Sequence, residues 1–244
     1  MADTKVAVIN SSSVLSDDEV EAAVPALQTQ VHRDFAPAWG IDADLTFVPS
    51  GSKPAKGAWW LVILDNSDQA GALGYHDVTN DGMPLGKVFA GTDKQYGLEW
   101  TVTASHELLE MLADPDINVT VFVQTSDQQG ELYAREVCDA CEADELAYDI
   151  SGTLVSDFVF PAWFESFRKP KSTQFNYGKT IDKPFDLLKG GYIGVFDIRS
   201  GSGWHQITAQ GASLRFDQRP RLGSRRERRR TLRSQWSEST VRFK

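Results

Sequence analysis

The segment Trp59-Trp-Leu-Val-Ile-Leu64 holds six apolar residues with no polar break. It is far shorter than the roughly 20 residues needed to cross a bilayer. A short continuous run of this kind is a strand covered on both faces, so it is expected at the centre of a sheet. Lys5–Asn10, with Val6, Ala7, Val8 and Ile9, reads as a second buried strand, and Leu45–Val48 as a third. Between the two, Ser16-Asp-Asp-Glu19 has the spacing of a capping box. Val20, Val24, Leu27, Val31 and Phe35 then mark one face of a helix, which Pro25 is expected to kink or delay.

Gly71–Asp77 and Lys87–Ala90 read as strands on either side of the turn-rich Thr79–Pro84. A second long helix is expected from about Lys94 to Ala113, stopped by Pro115. Beyond it, Val119–Gln124 has strand alternation, Ser126–Gly130 is a polar turn, and Leu132–Leu146 is expected to be partly helical. Leu154–Phe160 and Tyr192–Ile198 are further strands. Ser166–Lys189 reads as a long loop, a kind of segment that often serves as a binding or lid element. This order gives an α+β fold, α/β-like in its N-terminal half, with two long helices packed on a mixed sheet.

The chemistry is concentrated on the second helix, in Thr103-Ala-Ser-His106-Glu107-Leu-Leu-Glu110-Met-Leu-Ala-Asp114-Pro-Asp116. His106 and Glu110 are four apart and share a helix face, so an imidazole nitrogen and a carboxylate oxygen can hold one divalent ion. Glu107 stands beside them, placed to take a proton from water at that ion. The arrangement is the H-E-x-x-H zinc helix with Glu in the second His position. Leu98, Val102, Leu108, Leu109 and Leu112 are expected to pack that helix on the sheet. The bland alternative is an amphipathic helix whose solvated face happens to carry a histidine.

The helix resembles that of the metzincins, H-E-x-x-H-x-x-G-x-x-H/D, with His106, Glu107, Glu110, Ala113 and Asp116 at the corresponding positions. Glu110 replaces the second His, Ala113 replaces the turning Gly, and no Met-turn follows. The order of an edge strand before the helix is similar to that of zincins, where the edge strand pairs with extended substrate. A closer likeness runs over residues 103–152. His106-Glu-Leu-Leu-Glu110, Asp114-Pro, Glu136-Val-Cys-Asp139, Tyr148 and Gly152 are similar to the H-E-L-x-E proteins that include the exordium-like (phosphate-induced) group. The resemblance implies a zincin-like mixed sheet with an active-site helix at about 94–113, and a metal site on it.

Three protein ligands and an open position are usual for catalytic zinc. Glu136 is the first choice for the third ligand, with Asp116 and Asp139 as alternatives. The metzincin likeness favours Asp116, whereas the H-E-L-x-E likeness favours Glu136 or Asp139. Zn²⁺ is the expected ion. A carboxylate-rich site also suits Ca²⁺ or Mn²⁺. Cys138 and Cys141 lack the second pair of a zinc knuckle, and flanking acids oppose thiol reactivity. His76 lies in the presumed edge strand and can face the cleft, whereas His32 reads as structural. Tyr133 and Tyr148 are candidates to stabilise an oxyanion.

Charge divides the chain of 244 residues in two. Residues 215–244 carry 10 Arg and one Lys against three acids, a balance of +8, while the other 214 residues carry 14 basic and 31 acidic groups, a balance of −17. An acidic body disfavours general nucleic-acid binding. The boundary is therefore set between a metal-binding domain at 1–214 and an Arg-rich tail at 215–244. Residues 219–233 are the expected contact for an assembly partner or nucleic acid. Lacking a basic start followed by an apolar core, the N-terminus predicts a cytoplasmic protein, or a component of a particle assembled inside the cell. Two functions follow. One is a metal-dependent hydrolase, foremost a zinc peptidase with Glu107 as general base and a peptide or protein substrate. The other is a catalytically weak or inactive zincin-like scaffold in a larger cellular or viral assembly.

Overall fold

The computed structural model describes residues 2–68, 72–199, 203–209 and 213–215. Strands β1 (Thr4–Asn10), β2 (Ala43–Val48), β3 (Trp59–Leu64), β4 (Gly74–Val78) and β5 (Pro84–Phe89) form one sheet in the order β2-β1-β3-β5-β4. β1 runs parallel to β2 and β3, and β3 parallel to β5, whereas the edge strand β4 is antiparallel to β5. The apolar run is the central strand. Its pleat sends Leu61 and Ile63 into the main core and Val62 into a smaller cluster with Ala7, Ile9, Val48 and Leu85 on the other face.

Helix α1 (Asp17–Thr29) opens with the full capping box, Ser16 accepting from the Glu19 amide while Glu19 reaches back to the Ser16 amide. It runs through Pro25 rather than stopping there. It then widens into a π-helical turn at Gln30–Phe35 and closes as α2 (Ala36–Trp39). Val20, Leu27, Val31 and Phe35 are buried as the spacing predicts, with Val24 half-buried.

The single helix expected at about 94–113 is two. Gly97, with φ of 71°, ends α3 (Ala90–Tyr96) in the left-handed conformation, and α4 (Trp100–Ala113) restarts after an extended Glu99. Only glycine adopts that backbone at little cost, which is why the break falls there. At the far end, the Asp114 carboxylate accepts the amides of Asn118 and Val119, turning the chain out of the helix.

A second sheet follows. β6 (Thr120–Ser126), β7 (Gln129–Ala134), β10 (Tyr192–Asp197), β11 (Trp204–Thr208) and β12 (Ser213–Arg215) are ordered β12-β11-β10-β7-β6, while β8 (Tyr148–Ile150) and β9 (Thr153–Val155) make a separate hairpin. The architecture is α+β. The partly helical reading of Leu132–Leu146 is corrected. Its start pairs in β7, and the rest holds only short 3₁₀ turns at Asp139–Cys141 and Asp144–Leu146. Hairpin pairing takes the apolar residues that would have formed a helix face, and Glu136 and Asp139 turn inward instead. The strand expected at Leu154–Phe160 is likewise short, with only a lone bridge from Val159 to Asn176 beyond β9.

Residues 166–189 form a loop as expected, and it is anchored. Buried Asp157 accepts from Asn176, and Asn176 in turn accepts the amides of Thr180 and Ile181. One hydrophobic core joins α1, α4, β3 and β5 to Val137, Phe158, Trp163, Ile193 and Val195. Arg215, placed by its charge in the tail, pairs with His205 in β12, so the boundary drawn before it falls within a strand. Gly71 and the tail residues 216–244, including 219–233, lie outside the described residues. No helix among the described residues is long and apolar enough to cross a membrane.

Candidate metal centre

Helix α4 is not a half-solvated amphipathic helix. Val102, Leu108, Leu109 and Leu112 are buried, and so are Glu107 and Glu110, at 5% and 4% exposure. Ionised carboxylates are costly to bury without a partner charge or a metal. The reading of a helix with a solvated polar face is thereby removed.

Three elements bring charged side chains to this face of α4. The helix itself supplies His106, Glu107 and Glu110. Edge strand β4 supplies His76, which is buried. The irregular segment after β7 supplies Glu136 and Asp139. The turn carrying Asp139 is clamped by the long loop, because the Leu188 amide donates to the Ala140 carbonyl at 3.0 Å. At Gly191 a Cβ would sit 2.3 Å from that same carbonyl, so only glycine lets the two backbones approach.

The donor atoms fall into two sets that share Glu110. In the first, His106 Nε2 lies 3.4 Å from Glu110 Oε2 and 3.3 Å from Asp139 Oδ1. In the second, His76 Nδ1 lies 3.5 Å from Glu110 Oε2 and His76 Nε2 lies 3.5 Å from Glu136 Oε2. Within each set, one ligand atom per residue lies within 4.8 Å of the others, so either set could hold a metal ion. The other oxygen of Glu110, Oε1, accepts the Cys138 amide at 3.1 Å, tying the helix to the segment that carries the acids.

The candidates for a third ligand are arranged differently from the first expectation. Asp139, not Glu136, stands beside His106, while Glu136 faces His76. Asp116 is exposed in the turn after α4 and belongs to neither set. Glu136 and Asp139 do not share a helix face, since Glu136 lies outside any helix and Asp139 only opens a short 3₁₀ turn.

Glu107 points toward the edge strand. A Cβ on Gly74 would come within 2.7 Å of both Glu107 Cγ and Oε1, so the missing side chain in β4 is the slot that Glu107 fills. Its other oxygen, Oε2, makes no hydrogen bond and lies 3.7 Å from His76 Nδ1.

Electrostatics follow from burial and crowding. Burial opposes charge on His76, but Glu136, Glu107 and Glu110 outweigh it and lift its pKa to about 10. Burial likewise opposes charge on His106, and Glu110 and Asp139 raise it well above the ordinary histidine range. Burial pushes Glu107 up, and pushes Asp139 well above the usual carboxylate range. Burial would raise Glu110 as well, but His106 and His76 overcome it and hold the group below that range. Glu110 is therefore the carboxylate whose ionised form the two neighbouring histidines favour. At the margin, burial takes Glu142 to about 7.

Tyr133 and Tyr148 are committed elsewhere, donating to Glu131 at 2.7 Å and to Asp34 at 2.9 Å. The tyrosine beside these groups is Tyr192 of β10, whose hydroxyl is pushed well above its ordinary pKa by burial and by the nearby Asp139 and Glu142. Nothing local in the sequence marks it, because the contact is made only when β10 folds beside the 139–141 turn. Cys138 and Cys141 are buried free thiols, raised well above the ordinary range by burial. His32 is exposed beside Asp42 and Asp44, away from the centre.

No protein-family model, curated protein or solved structure matches this chain.

Proposed function

We propose that the protein is a metal-dependent hydrolase, foremost a zinc peptidase, with the ion held by His106, Glu110 and Asp139 and with Glu107 as general base. The observation that carries this reading is the spacing of the first set. Ligands on a tetrahedral ion with contacts of about 2.0–2.2 Å lie about 3.3–3.6 Å apart. The His106–Glu110 and His106–Asp139 separations of 3.4 and 3.3 Å match that figure. Tyr192 lies near Asp139, where partners of metal-binding carboxylates commonly sit.

A bound divalent ion supplies Lewis acidity and brings the pKa of a water it holds to about 7. Glu107 is adjacent to His106 on the helix, about 100° around the axis from it, and does not share the ion easily with His106 and Glu110. Its Oε2, with no hydrogen-bond partner, is the oxygen that takes a proton from water, and the same group returns it to the leaving amine. Burial favours this role by raising the affinity of Glu107 for the proton it carries. An extended peptide can add to β4, the terminal strand of its sheet, beside Glu107. The sheet order, with an antiparallel edge strand before the helix, supports the zincin-like reading. One imidazole with two carboxylates donates more charge than two imidazoles with one carboxylate, which weakens Lewis acidity and also suits Mn²⁺ or Ca²⁺.

A scaffold role is favoured by one feature, the bond from the Cys138 amide to Glu110, which makes the centre a tie between α4 and the segment after β7. Glu107→Gln separates the readings. Under the hydrolase reading, metal content and thermal stability stay unchanged while hydrolysis of a peptide library falls by a factor on the order of 10²–10⁴. Loss of the ion would make Glu107 a ligand. A wild type without hydrolysis across the library would leave the scaffold.

A further inference from the structure

We propose a second divalent-cation position beside the first, formed by His76 and Glu136 and sharing the Glu110 carboxylate, so that the centre holds two ions. This rests on the metal-centre reading above and extends it. The two histidines fall in separate ligand sets, and only Glu110 is common to both. Glu110 Oε2 lies at nearly equal distances from the two rings, 3.4 Å from His106 Nε2 and 3.5 Å from His76 Nδ1. A carboxylate placed between two such groups has the geometry of a bridge, and two-ion hydrolytic centres have their ions about 3.5–4 Å apart.

Formal charge points the same way. Once ions displace their protons, Glu107, Glu110, Glu136 and Asp139 would carry four negative charges around two imidazoles, which are neutral when they bind an ion through one nitrogen. One dication leaves half of that charge unmatched in a buried site, and a second one matches it. Glu107 is among the groups relieved, because its Oε2 faces His76 and has no hydrogen-bond partner.

The second position is the looser of the two. Its imidazole meets Glu110 and Glu136 through opposite ring nitrogens, so one of these contacts must shift for a single nitrogen to bind. One imidazole and two carboxylates spaced in this way suit a harder and larger ion than zinc. Mn²⁺, which accepts carboxylate oxygens readily, fits that description. The second ion is accordingly expected to bind more weakly than the first, and to be lost first on dilution.

The test is equilibrium dialysis of the metal-free full-length chain against Mn²⁺, read by elemental analysis and by electron paramagnetic resonance. Wild type is expected to take two ions per chain, with the resonance of the second coupled to that of the first. His76→Ala and the isosteric Glu136→Gln are each expected to stop at one ion with an uncoupled signal, and circular dichroism checks their fold. His106→Ala is expected to lose the tighter ion. A wild type that saturates at one ion, or a His76→Ala protein that still takes two, overturns the second position and leaves the first standing. Loss of both ions in folded His76→Ala also overturns it, because His76 would then be a ligand of the first ion. A wild type that binds no Mn²⁺ and no Zn²⁺ overturns the metal-centre reading itself.

Discussion

Gly74→Ala tests whether Glu107 is seated against the edge strand. The new Cβ would lie 2.7 Å from Glu107 Cγ and Oε1 and 2.8 Å from the Lys87 carbonyl oxygen. Ordinary carbon contacts fall at about 3.5–4.0 Å, so the overlap is close to 1 Å. The carbonyl belongs to the β4–β5 ladder and cannot retreat without breaking pairing at Gly74↔Val88. Glu107 is buried and has little room to swing. Over-packing of this kind costs about 1–3 kcal/mol. For a chain of 244 residues that is a fall in Tm of about 2–12 °C, at about 2–4 °C per kcal/mol.

Calorimetry of the metal-loaded protein measures the fall, and peptide hydrolysis is expected to drop with it as Glu107 is displaced. The double variant sharpens the test. Glu107→Ala removes Cγ and Oε1, so adding Gly74→Ala to it should cost less than adding it to wild type, with a coupling of about 0.5–3 kcal/mol. A Gly74→Ala protein with wild-type Tm and activity, or strict additivity in the double variant, would refute the placement of Glu107 in this slot.

Asp139→Ala is expected to weaken binding of the first ion at least tenfold in a competition titration against a chelating dye, while Asp116→Ala leaves it unchanged; the reverse order would restore the metzincin-like ligand. Glu110 and Asp139 raise the proton affinity of His106 in the metal-free protein, so loading the ion at pH 7 is expected to release about one proton per His ligand. Calorimetric titration in buffers of different ionisation enthalpy counts it, and a heat independent of buffer would contradict it. Asp93, buried on α3 and bonded to Thr103, has its pKa raised by burial to about 7. The folded state therefore holds this proton more tightly than the unfolded chain. Its contribution is full below the unfolded value of about 3.9 and is lost as pH rises through about 7. Asp93→Asn should flatten that limb of the metal-free stability curve, and an unchanged slope would assign the limb to Glu142 or the centre.

Local rules made several parts of this protein legible. The unbroken run Trp59–Leu64 could only be an inner strand, because exposing any alternate residue of it would leave an apolar side chain in water. The Ser16–Glu19 box marked a helix start, since both halves of that interaction lie within one turn. His106 and Glu110 shared a face by helix geometry alone. What lay beyond one turn was decided by packing. The break at Gly97 overrode a pattern that reads as continuous, because a left-handed glycine costs little and the chain needed to redirect α4 onto the sheet. The third acid could not be chosen from spacing, since Asp116, Glu136 and Asp139 are all near in sequence or motif. The close approach at Gly191 and the fold of the 139–141 turn brought Asp139 to His106 and left Asp116 outside. His76 was legible as an edge-strand residue able to face the cleft, but its approach to Glu110 and Glu136 required β4 to fold beside α4, and Tyr192 came from the second sheet with no local signal. Backbone propensity and pattern act over a few residues and can be read in order along the chain; a buried centre is assembled from segments whose proximity depends on the closing of the whole core.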